Sequence, residues 1–240
     1  MIKQETVYEM RLVSALEKVF LDERPVYRPE CMKLTALKGE TVSFQAACTC
    51  TSFMKNRVKV RIESPISDRI HVRKVENVPA GRVCGPIVDD NYLKTESGLY
   101  PDLLRELVDG EVDIFPQKWR SIWIDIEVTE DVKAGLYPVT VILEKDGETL
   151  ARAATEVTIY DAVLPKQKMM HTEWFYLDCL ADYYHVPVFS EEHWEIITNY
   201  LKEYVKRGCN MILTPLFTPA LDTAVGIERT TTQLLDVRVE

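Results

Sequence analysis

The sequence has no run of lysine and arginine, no long apolar stretch and no glycine-rich phosphate loop, and each absence excludes a class of function. Lys+Arg number 29 against Asp+Glu 38, a net charge of −9. Nucleic acid is therefore not an expected partner, because that affinity rests on clustered basic residues. Apolar stretches are as short as Met211-Ile212-Leu213, far below the roughly 20 residues a membrane helix takes, so no membrane partner is expected. Met1-Ile2-Lys3-Gln4-Glu5 has no apolar export core, which predicts a cytoplasmic location. Without a phosphate loop or a Gly-x-Ser-x-Gly turn, phosphoryl transfer and serine-hydrolase chemistry fit poorly.

Ligand clusters are missing too. The six cysteines are Cys31, Cys48, Cys50, Cys84, Cys179 and Cys209, and the expected reducing compartment argues against disulfides. Cys48 and Cys50 are two apart in a strand-like run and share a face. No further Cys or His stands near them at ligand spacing, so buried thiols are expected and no metal. The histidines form no constellation. His71 falls in a polar strand, His185 in a loop, His193 on the wet side of a helix, and His171 on a strand beside the site candidates. No cofactor is implied.

What is present, from about residue 31 to 160, is β patterning. Arg57 to Glu63 alternates polar and apolar at every step, and Ile122, Ile124, Ile126 and Val128 alternate with Ser121, Trp123, Asp125 and Glu127. Val42, Phe44, Ala46 and Cys48 form one face of Thr41–Cys50, and Tyr137, Val139, Val141 and Leu143 another. Asp146-Gly147 between two such runs signals a hairpin. Ala134-Gly135 is expected to join the strand over 120–128 to that over 136–144, giving three successive antiparallel strands that end near Tyr160. The first twenty residues fit either a helical stripe or an edge strand, and the β context favours strand. Tyr100-Pro101-Asp102-Leu103-Leu104 reads as a turn or a single helical turn. The pattern predicts an antiparallel β-sandwich over residues 1–163.

After Pro165 the pattern changes. Met169 to Leu177 is an apolar, aromatic run. Ser190 is an N-cap, Glu191 and Glu192 follow it, Trp194, Ile197, Leu201, Tyr204 and Val205 form a stripe, and Gly208 stops the helix. Asn210 to Leu213 reads as a short buried strand. One β–α–β unit results, with the boundary near 161–168.

In barrels and open α/β sheets, binding groups gather at the C-terminal strand ends. Those ends are Trp174 to Asp178 and Thr214 to Thr223, where aromatics mix with carboxylates and hydroxyls. That mixture suits a sugar, whose apolar face stacks on a ring while its hydroxyls bond to polar groups. The candidate substrate-binding residues are Trp174, Tyr176, Asp178, Asp222 and Arg229. Two readings stay open: Trp174 and Tyr176 also suit a barrel layer, Asp178 a cap, and Asp222 with Arg229 a loop-fixing pair. Thr214 and Thr218 read as structural. Eleven carboxylates follow residue 168 without an adjacent Asp-Glu pair among them, so no catalytic residue is assigned.

Several stretches resemble glycoside hydrolase family 123. Lys38-Gly39-Glu40-Thr41-Val42-Ser43-Phe44-Gln45 is similar to its early Glu and Phe-Gln strand. Tyr100 to Leu104, Ser121 to Asp125 and Ala134 to Tyr137 resemble its Pro-Asp loop and closing hairpins. Leu213-Thr214-Pro215-Leu216-Phe217-Thr218-Pro219, with Leu221-Asp222-Thr223, Glu228-Arg229-Thr230 and Gln233-Leu234, resembles its second barrel strand and following loop. The resemblance implies a sandwich joined to a (β/α) barrel, with relatives cleaving β-linked N-acetylgalactosamine. It also implies a substrate-assisted mechanism that uses an adjacent Asp-Glu pair on a later strand, which no residue here matches. Residues 169–240 supply less than a third of the roughly 250 residues of a closed barrel, so they are expected to be its N-terminal fragment, inactive alone. Cover for its apolar faces is expected from the sandwich, from a second copy in a homo-oligomer or from a separate polypeptide. The competing expectation is a non-catalytic carbohydrate-binding or structural sandwich, with Trp119 and Trp123 as its exposed aromatics.

Overall fold

The computed structural model describes residues 6–81 and 92–214, with backbone alone at 30 and 31. The chain divides into two compact units, Met1–Leu164 and Pro165–Glu240.

The first unit contains β1 (Tyr8–Ser14), β2 (Lys33–Lys38), β3 (Thr41–Cys50), β4 (Asn56–Glu63), β5 (Ile70–Ala80), β6 (Gly98–Glu106), β7 (Glu111–Ile114), β8 (Arg120–Glu127), β9 (Gly135–Lys145) and β10 (Glu148–Val163). They form two five-stranded sheets, ordered β1-β3-β8-β5-β6 and β2-β10-β9-β4-β7. All pairings are antiparallel except that of β2 with β10. The period-two residues of both sheets meet in one core. Phe44, Ile122, Ile124 and Ile126 face Val58, Val139, Val141, Leu143, Val157 and Ile159, each at most 2% exposed. Each such side chain contributes about 1.5–3 kcal/mol on burial.

β1 is the edge strand expected of the N-terminal segment, paired along β3. Asp146 and Gly147 both take positive φ, 52° and 84°, the mirror-image turn that matches strand twist, and β9 and β10 pair beyond it.

Two expectations fail. β8 and β9 do not pair, because they lie in different sheets. Alternation marks which face of a strand is buried, and in a sandwich both sheets bury a face against the same core. The second failure is the turn at Tyr100-Pro101, which is β6. Pro101 has no N–H to give, yet β6 is an edge strand and its register slips there, Glu76 pairing with Leu103 and Asn77 with Pro101. Edges and bulges are where a sheet tolerates proline.

The outer face of the first sheet is also drier than alternation suggests. Gln45 and Ser121 are buried because the chain after β1 crosses over them. Gln45 Nε2 donates to the carbonyls of Ser14 (2.9 Å) and Glu17 (2.8 Å), and Ser121 Oγ donates to Gln45 Oε1 at 2.6 Å. Val13, Val19, Ala47 and Trp119 make a small apolar cluster of their own.

The second unit contains β11 (Thr172–Trp174), α1 (Leu177–Tyr184), α2 (Glu191–Lys206) and β12 (Met211–Leu213), with β11 and β12 parallel. One expected helix is thus two. α1 has no side-chain N-cap, and its sequence prolongs the aromatic run, so no start signal separates it from the strand. α2 begins at Ser190, whose Oγ accepts the His193 N–H at 3.2 Å, and Gly208 follows it at φ 87°. β12 was expected buried, but Met211, Ile212 and Leu213 are all exposed, since a two-stranded layer covers little of either face.

Candidate functional site

The sequence-derived site begins where β11 ends. Phe175 N–H donates to the Leu213 carbonyl at 2.8 Å and extends the parallel pairing one step beyond Trp174. From α2, the Tyr204 hydroxyl accepts the Glu173 N–H at 2.5 Å and donates to the Met211 carbonyl at 2.8 Å, fastening the two strands. The Phe175 ring meets the Tyr204 ring edge-on at 6.0 Å. On this support Trp174 stacks on Tyr176, centroids 5.7 Å apart and planes 11° apart, with Trp174 59% exposed. The result is an open aromatic platform of the kind a pyranose ring face packs against.

Asp178 lies two residues further, in the first turn of α1, where a carboxylate complements the helix dipole. It is buried, and its Oδ1 accepts the Cys179 N–H at 3.0 Å. Thr214, at the end of β12, is half-buried. Thr218, Asp222 and Arg229 lie outside the described residues. The structure therefore brings Trp174 and Tyr176 together, with Asp178 beside them in the chain.

His171 is not part of this end. It precedes β11, so it marks the opposite end of the strand. There its N–H donates to Asn210 Oδ1 (2.9 Å), its Nδ1 faces Cys209 Sγ (3.8 Å) and its Nε2 faces Glu173 (3.3 Å). His193, expected on the wet side of its helix, is fully buried. Its Nδ1 accepts the Phe189 N–H and its Nε2 meets the Leu177 carbonyl, both at 2.9 Å. The buried stripe of α2 runs through His193 and Ile197, and Trp194 and Val205 are exposed. Spacing held the signal, since His193 stands four residues before Ile197. Histidine on a helix next to an N-cap nevertheless read as surface.

The sandwich aromatics also differ from expectation. Trp119 is buried in the second apolar cluster, and half-buried Trp123 gives its Nε1–H to Asp125 Oδ1 at 2.7 Å. They form no exposed row. Asp125, itself buried, also accepts from Ser43 Oγ at 2.5 Å and pairs with Arg73. Sequence reasoning missed this polar group, which adds no accessible chemistry. Cys48 and Cys50 are buried thiols, as is Cys209, while Cys179 is exposed and Cys84 lies outside the described residues. Burial pushes the Cys48 thiol up to about 12. Among the described residues no cluster of three or more His, Cys, Asp or Glu could hold a metal, and no helix is long and apolar enough to cross a membrane.

A two-sheet sandwich is thus followed by a unit with a parallel strand pair, two helices between its strands and an aromatic stack at the strand end. Residues 20–145 match the glycoside hydrolase 123 N-terminal domain, and residues 174–240 match the glycoside hydrolase 123 catalytic domain. The chain belongs to glycoside hydrolase family 123. A solved family 123 glycoside hydrolase from Clostridium perfringens, described for glycolipid glycan hydrolysis, superposes with a TM-score of 0.63 at 17% identity, covering 88% of this chain and 38% of that one. The chain therefore spans well under half the length of that enzyme. A CARDB domain from Pyrococcus furiosus (TM-score 0.33, 6% identity, 66% of this chain and 98% of that one) and a β-glucosidase from Listeria innocua (0.31, 12%, 68% and 17%) are too distant to inform function. The chain matches no curated protein.

Proposed function

We propose that residues 1–163 are the supporting sandwich, and residues 169–240 the N-terminal part of a catalytic barrel, of a glycoside hydrolase acting on N-acetylhexosaminides. Trp174 and Tyr176 form the platform for a sugar ring, and Asp178, Asp222 and Arg229 supply polar contacts around it. The observation that carries this reading is the exposed Trp174–Tyr176 stack at the C-terminal end of a parallel strand, the position from which barrels bind their substrates. The mechanism implied by the family resemblance needs an adjacent Asp-Glu pair, and residues 169–240 contain none. In this reading the chain binds sugar at the platform and does not cleave it. A second copy of the chain covers the exposed strand pair.

Chromogenic N-acetylhexosaminides test this. No hydrolysis is expected from the 240-residue chain, whereas a version extended through a complete barrel should hydrolyse them and lose most of its activity on Trp174→Ala. Cleavage by the 240-residue chain would overturn the assignment. Trp119 and Trp123 being tied into the sandwich weighs against the alternative that those two tryptophans form a carbohydrate-binding surface.

A further inference from the structure

A groove of about 440 Å3 opens on the sandwich, lined by Phe20, Tyr92 and Tyr100 together with Lys18, Lys94 and Asp102. That volume lies within the range of small-ligand sites. Its wall is aromatic. Tyr100 meets Phe20 edge-on at 6.1 Å, and Lys94 Nζ sits 4.4 Å from the Phe20 centroid while pairing with Glu23. Tyr92 is 47% exposed.

The polar groups of the groove are placed by the β6 bulge. Leu103 pairs with Glu76 and Pro101 with Asn77, which leaves Asp102 as the extra residue. A bulge re-aims the side chain it carries, and Asp102 lines the groove. Asp102 forms no ion pair among the described residues, and neither does Lys18, whose one hydrogen bond is a 3.4 Å contact with the Pro101 carbonyl. An ammonium and a carboxylate thus flank an aromatic wall without neutralising each other. A hydrocarbon ligand would desolvate both at a cost. A pyranose satisfies both, because its C–H face packs on a ring while its hydroxyls accept from the ammonium and donate to the carboxylate.

We propose that this groove is a saccharide-binding site on the sandwich, taking a neutral pyranose. The inference does not rest on the platform at Trp174, which lies in the other unit.

The test uses the 240-residue chain with methyl β-N-acetylgalactosaminide, methyl β-galactoside and methyl β-glucoside in saturation-transfer NMR and titration. Binding of at least one glycoside is expected, weakened roughly tenfold by Tyr92→Ala and by Asp102→Asn, the usual effect of losing one stacking ring or one charged hydrogen bond. The same losses are expected from Tyr92→Ala and Asp102→Asn in a Trp174→Ala background, where the platform no longer contributes. Asp102→Asn alters an exposed residue, and far-ultraviolet dichroism checks that each variant folds. Absence of saturation transfer from all three glycosides overturns the proposal. So does binding that Trp174→Ala abolishes, or that both groove variants leave unchanged. Failure of the platform reading shows in Trp174→Ala alone.

Discussion

His193 Nε2 lies 2.9 Å from the carbonyl oxygen of Leu177, joining the second helix of the C-terminal unit to the first residue of α1. Because Nδ1 accepts the Phe189 N–H, the ring proton sits on Nε2 and donates to Leu177. A single imidazole thus satisfies two backbone groups inside the unit. His193→Ala leaves both unsatisfied and is expected to cost about 2–3 kcal/mol. Hydrogen exchange would show it as faster exchange across α1 while the sandwich amides stay protected.

The Arg73–Asp125 pair gives a second prediction. Both side chains are largely buried on the outer face of the first sheet, at 18% and 9% exposure. Removing one partner strands a buried charge, so Asp125→Ala is expected to lower stability by about 3–5 kcal/mol in urea unfolding. The Asp125→Leu/Arg73→Met double variant should recover much of that loss.

Stability should decline on both sides of neutrality. The Cys48 thiol, raised mainly by burial to about 12, stays protonated in the folded sandwich after an unfolded thiol has ionised. Its contribution is complete below about pH 9 and disappears as pH climbs towards 12. In acid the sign reverses. Hydrogen bonds from Arg11 and Arg24 hold Glu9 below the ordinary glutamate range. Burial opposes ionisation of Glu76, but Lys74 and Arg120 outweigh it and lower that group too. Their contributions are present above about pH 4.3 and fade as pH falls further. Urea titrations from pH 3 to 11 on wild type, Cys48→Ala and Glu76→Gln should separate the two limbs.

Thiol chemistry should be site-selective. Cys179 is exposed, whereas Cys48, Cys50 and Cys209 are buried. Alkylation of native protein followed by mass spectrometry is expected to mark Cys179 before Cys50 and Cys209, and Cys48 only after denaturation.

The C-terminal unit should associate. Met169 and Met170 are 77% and 70% exposed, and the β12 side chains are exposed as well. Concentration-dependent light scattering is expected, reduced by Ile212→Lys. A monomer at every concentration would remove the need for a covering partner.

Much of the sandwich was legible because period-two burial is a local property: Ile122, Ile124 and Ile126 face inward whichever sheet β8 joins. Sheet membership is not local, and so the crossing from β8 to β9 was invisible. Pro101 misled because proline is incompatible with a central strand and acceptable on an edge, a distinction only topology makes. At the site, the aromatic cluster at Trp174 and Tyr176 stood out in composition. The Tyr204 hydroxyl that braces it from α2 did not, since its partners are backbone atoms 31 and 7 residues away. The groove beside Asp102 depends on a bulge, and nothing in a dipeptide announces one.

β2 finds its parallel partner only in β10, so Lys33–Lys38 must wait for a stretch more than a hundred residues downstream. During synthesis the second sheet cannot close until β10 has cleared the ribosome, and β2 emerges without a mate. Contacts this remote in sequence slow folding. Refolding of the sandwich should therefore be slow, and codon choices upstream of β10 should influence its yield.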